Sequence, residues 1–150
     1  MIYEIIEFHS IRKEKLKMSR SLIQVANQSV QTVAENSIIT LGSVQRRFGC
    51  DCRLSGNAIE IVGQGYFLVD STVSVTPTEA GQIVVALYEN GVQVPGAIAY
   101  GTTGAVGEYV TLPIVATIRK MCCDTADTLT VVLISGAGEV NNISTRVEKA

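Results

Sequence analysis

A chain of 150 residues suits a single domain, long enough to bury a real core without staples. Hydrophobic residues make up 47%, charged residues 17%, and mean hydropathy is +0.29, so either the interior is large or apolar surface is shared with neighbours. A net charge of −2 and a pI near 5.4 exclude the basic stripe of a nucleic-acid binder, Arg46-Arg47 being too small to supply one.

The chain reads as a leader, residues 1–18, followed by one domain, residues 19–150. The leader is charge-rich and helix-prone. Two readings stand open: a short amphipathic N-terminal helix with Ile2, Ile5, Ile6 and His9 on one stripe, or a segment that is not translated because the true start is Met18. No run approaches the roughly 20 apolar residues of a membrane helix. The N-terminus also lacks the apolar run and small-residue cleavage site of a secretory signal.

From Ser19 the text turns to the Val, Thr, Ser, Gly and Asn usage of an all-β domain. Short apolar segments run over 22–26, 30–34, 37–41, 44–48 and 58–62, separated by turn residues. The stretch from Gly65 to Gly96 carries the most information. Apolar residues recur at odd positions in Phe67, Val69, Val73 and Val75, and again in Ile83, Val85 and Leu87, as a half-buried strand requires. Pro77 and Glu79-Ala80-Gly81 mark a turn. Asn90-Gly91 is a hairpin signal, since both residues tolerate positive φ. Pro95-Gly96 suits an edge or a bulge. A Gly/Thr loop over 101–107 opens a long strand over 108–121, followed by a turn over 124–127 and strands over 128–135 and 141–148. Closely spaced short strands with regular turns indicate a sandwich or barrel. With no Trp and about ten strands, a ten-stranded antiparallel jelly-roll sandwich fits better than an immunoglobulin-like one.

The second parity of the long strands is also apolar. Tyr66, Leu68, Val84 and Tyr88, with Tyr109, are therefore expected to form a subunit interface. A sheet with two apolar faces needs cover on both, and another copy of the chain is the nearest supply.

Catalytic chemistry finds little footing. The only histidine, His9, lies in the leader, so the domain holds no Ser-His-Asp or Cys-His pair. Asp51, Glu60, Asp70, Glu89, Asp124 and Asp127 are read as turn and strand-end carboxylates. The Gly101-Thr102-Thr103-Gly104 loop lacks the lysine and following helix of a phosphate cradle. Four cysteines form two tight pairs, Cys50/Cys52 and Cys122/Cys123, whose spacing does not match a zinc site. Cross-strand or intersubunit disulfide and free thiol both remain open. Calcium would have only Asp124 and Asp127 to draw on. No catalytic residue, cofactor or metal site is expected.

The run GYFLVDSTVSVTPTEAGQIVVALYENGVQVPGA resembles the tumour-necrosis-factor/complement-C1q-like superfamily. It is similar in particular to the C-terminal domain of the collagen-like exosporium glycoprotein of spores. Gly65-Tyr66 opening a long strand, the Leu87-Tyr88-Glu89-Asn90-Gly91 hairpin and the closing Asn141-Asn142-Ile143 to Val147-Glu148-Lys149 carry the resemblance, over about Leu22 to Ala150. Standalone domains of this look are also similar to bacteriophage structural proteins. The resemblance implies a TNF/C1q-like jelly roll and a homotrimer. It also implies a non-enzymatic role on a virion, spore or cell surface, with capsid, fibre or spore-coat proteins, or surface glycans, as partners. No Gly-X-Y stalk, exosporium-targeting leader or receptor-binding signature accompanies it.

Overall fold

The computed structural model describes residues 20–121 and 125–150. The leader with His9, and Cys122, Cys123 and Asp124, lie outside the described residues, as do the expectations placed on them. Twelve strands and no helix make up the described chain: β1 (Leu22–Asn27), β2 (Gln31–Val33), β3 (Ser37–Ile38), β4 (Ser43–Phe48), β5 (Cys52–Ser55), β6 (Ala58–Ile61), β7 (Gly65–Pro77), β8 (Gly81–Glu89), β9 (Val92–Thr103), β10 (Val110–Lys120), β11 (Asp127–Ser135) and β12 (Gly138–Lys149). Ten of them build two antiparallel five-strand arrays. One runs β10-β7-β12-β1-β4, with β2 added beside β12. The other runs β5-β6-β11-β8-β9, with β3 added beside β11. This is the expected ten-stranded jelly roll with two short additions.

The odd positions of β7 do point inward. Phe67, Val69, Val73 and Val75 are fully buried and meet Ile83, Val85 and Leu87 of β8 in one core with Ile23, Val25, Ile59, Leu129, Leu133, Ile143 and Val147. Burying such side chains contributes about 1.5–3 kcal/mol each. One polar pair sits inside it, Ser71 and Thr145, whose hydroxyls share a 2.9 Å hydrogen bond between β7 and β12. Asn90 (φ 52°) and Gly91 (φ 82°) form the two-residue β8–β9 turn, in the left-handed region a type I′ hairpin demands.

Two of the three prolines mark the edges. Pro113 lies within β10 and Pro95 within β9, the terminal strands of their sheets, where a missing N–H breaks no ladder. Between Val94 and Ala97 the β8–β9 register slips, the bulge that Pro95-Gly96 suggests. Two segments differ from expectation. Cys52–Ser55 forms β5, which pairs with β6 across Gly56-Asn57. The loop expected from Gly101 begins later, because Gly101, Thr102 and Thr103 still pair with Ile83, Gln82 and Gly81.

Late in the chain, β12 lies inside its sheet, hydrogen-bonded to β1 on one side and β7 on the other. The crossover from β4 to β5 is clamped by Ser21. Its hydroxyl donates to the Asp51 carboxylate and accepts from the Asp51 N–H, while Lys149 stands 3.7 Å from the same carboxylate.

Candidate interaction surfaces

Strand register places every outward side chain. On the sheet containing β7, the outer face carries Tyr66, Leu68, Asp70 and Thr72 from β7, opposite Arg119, Thr117, Val115 and Pro113 of β10. On its other side β7 meets Glu148, Arg146 and Ser144 of β12. Tyr66 and Leu68 are half exposed, and Val115 is 67% exposed. The Arg119 guanidinium lies 5.7 Å from the Tyr66 ring centroid, within cation–π range. At the centre, Arg146 Nη2 donates to Asp70 Oδ2 at 2.7 Å, and this contact raises the guanidinium's pKa further above its ordinary value. The face is thus a mixed apolar surface whose central charges cancel within one chain.

Val84 and Tyr88 lie elsewhere, on the outer face of the other sheet. Val84 faces Tyr100 of β9, and Ala86 is flanked by Ile98 of β9 and Val132 of β11, which in turn pairs with Ile38 of β3. Val84, Ala86 and Val132 are already buried in the single chain, Tyr88 and Ile98 are partly buried, and Ile38 and Tyr100 are exposed. Tyr109 is in neither array. It is 70% exposed just ahead of β10, at the opposite end of the sandwich from Tyr66. The five residues expected to share an interface therefore fall into three places: Tyr66 with Leu68, Val84 with Tyr88, and Tyr109. Val115 was missed, although it stands between the inward-facing Ile114 and the half-buried Ala116 in the period-two pattern.

Cys50 is exposed and Cys52 buried, both as free thiols. Burial, then the neighbouring Asp51 carboxylate, pushes the Cys52 thiol from 9.0 up to about 12, against the pull of Arg47 and Lys149. At the same end Asn90 ties the β8–β9 turn to β11. Its Nδ2 donates to Asp127 Oδ1 at 3.0 Å and its Oδ1 accepts from the Thr128 N–H at 2.9 Å. Burial, with a hydrogen bond to Asp127 and that group's charge, raises the Glu89 carboxyl. No cluster of three or more His, Cys, Asp or Glu side chains able to hold a metal ion occurs among the described residues.

No protein-family model and no curated protein matches the chain. Solved structures do. Murine APRIL superposes with a TM-score of 0.70 at 11% identity, over 87% of this chain and 99% of that one. The globular domain of zebrafish complement 1qA gives 0.63 at 8% identity, over 85% and 94%. The PRD1 vertex protein P5 gives 0.57 at 10% identity, over 86% and 96%. At these identities the likeness is one of fold, and the fold is a TNF/C1q-like jelly roll.

Proposed function

We propose that the protein is a non-catalytic structural module that works as a homotrimer, as a decoration or fibre-head component of a phage virion or a bacterial spore surface. The observation that carries this reading is the outer face of the β7 sheet, where Tyr66, Leu68 and Val115 are exposed around an internally neutralised Asp70–Arg146 pair. Such a face can be covered without burying net charge, and aromatic and aliphatic side chains are what interface cores use. A three-fold ring joins two different patches of each subunit. The second is supplied by the β9–β10 edge, where Tyr100 and Tyr109 are exposed. The fold shared with a phage vertex protein supports a virion setting, and the resemblance to the exosporium domain supports a spore.

A second reading is recognition of glycans or a receptor through the loop that follows β9, in which Val106 is 70% exposed. Light scattering on the full chain tests the first reading. Three times the monomer mass supports it, and a monomer at micromolar concentration refutes it. A glycan array tests the second, with binding lost when residues 104–107 are replaced.

A further inference from the structure

Among the described residues, one end of the sandwich is acidic and the other is basic along the β7 sheet. At the end formed by the β7–β8, β2–β3, β9–β10 and β11–β12 connections stand four exposed carboxylates, Glu35, Glu79, Glu108 and Glu139. No Arg or Lys among the described residues accompanies them. Two of them, Glu35 and Glu79, line an open cleft of about 450 Å³ with Thr78 and Gln82.

The other end is basic along the β7 sheet. Arg20, Arg46, Arg47 and Arg119 are exposed, and Lys149 is partly so. Among the described residues, Asp51 and Glu148 oppose them on that sheet, while Glu89, Asp127 and the Arg53–Glu60 pair lie at the same end of the other one. Between β1, β4 and β12 opens a groove of about 630 Å³, lined by Arg20, Leu22, Phe48, Glu148 and Lys149. Its Phe48 ring is 61% exposed beside these cations. The groove brings the apolar Leu22 and Phe48 together with the cations Arg20 and Lys149 and the single carboxylate of Glu148. The Thr78-Glu79-Ala80 turn at the far end projects a carboxylate between small and neutral neighbours, all exposed.

We propose that this groove receives the acidic β7–β8 turn of a second copy of the chain, so that molecules join end to end. Glu79 pairs with Arg20 and Arg46, and Phe48 covers Ala80. Charge complementarity between two ends of one molecule favours a second copy over any other occupant, because both surfaces are always present at equal concentration. The contact joins unlike surfaces and does not close on itself, so it propagates into a linear stack. It does not rest on the trimeric reading: the stacking unit is whatever particle the chain forms at high salt.

Light scattering on the full chain across a salt series tests this. At about 0.01 M salt the Debye length is about 30 Å, and at about 1 M it is about 3 Å. The particle mass is expected to grow with protein concentration at low salt in whole multiples of the high-salt unit, and to fall back on adding salt. Reversing the acidic end (Glu79→Lys with Glu139→Lys) or the basic end (Arg20→Glu with Arg46→Glu) should each weaken growth at least about tenfold. Mixing the two variants should restore it, since each then meets its complement. A mass independent of salt, growth that survives both reversals, or a mixture that stays dispersed would overturn the proposal. Where a variant loses its circular dichroism signature, the salt series on the unsubstituted chain decides. The trimeric reading is judged separately, on the mass at high salt.

Discussion

Cys50 and Cys52, two residues apart, sit in opposite environments. The exposed Cys50 thiol is available to reagents, while Cys52 is buried with its pKa pushed up to about 12. At pH near 8 that leaves on the order of a thousandfold less thiolate at Cys52 than at an ordinary thiol of pKa 9.0. Alkylation of the native protein read by peptide mass spectrometry should label Cys50 and spare Cys52 until denaturant is added. Label at Cys50 only after reductant would show it oxidised in a disulfide. Glu89 offers a second residue-scale prediction. Its folded-state pKa is raised, so it holds its proton above the pH at which the unfolded chain releases it, and stability is lost as pH climbs through that window. Glu89→Gln removes the titration. Its melting temperature should exceed that of the parent at pH near 8 and match it at pH near 3, by a small margin because the group is largely solvated.

Elements built on strict alternation were legible from the text. In β7 and β8 the inward parity follows from Phe67 to Val75 and from Ile83 to Leu87, and the Asn90-Gly91 turn announces itself by its chemistry. β5 was not legible, because Cys52-Arg53-Leu54-Ser55 is too short to show a period, although Gly56-Asn57 was a usable hairpin signal. The interface set was legible only in part for a different physical reason. Alternation says which side chains share one face of a strand, but not which sheet the strand joins. Tyr66 and Val84 thus looked equivalent and proved to lie on opposite sides of the sandwich. Two substitutions check the elements. Phe67→Ala should cost about 3–5 kcal/mol in urea unfolding, through a cavity in the core between the sheets. Gly91→Ala has open space for its Cβ, so it should cost only the left-handed backbone penalty, about 1–2 kcal/mol.

For the whole molecule, the apolar outer face of the β7 sheet is the feature to test. Tyr66→Asp with Leu68→Asp places two carboxylates beside Glu148 and Asp70, and should convert the particle to monomers while leaving the inward parity, and so the fold, intact. An unchanged mass would remove this face from the interface.

The position of β12 also bears on how the chain reaches its fold. Leu22 pairs with Glu148 and Phe67 with Lys149, so neither β1 nor β7 has its neighbour on that side until β12 arrives. Most native contacts bridge distant parts of the chain, the pattern of proteins that fold in milliseconds to seconds. A nascent chain emerging from the ribosome would hold two unsatisfied strand edges until β12 has emerged. Chaperone dependence and a temperature-sensitive yield of soluble product are the expected cellular signature.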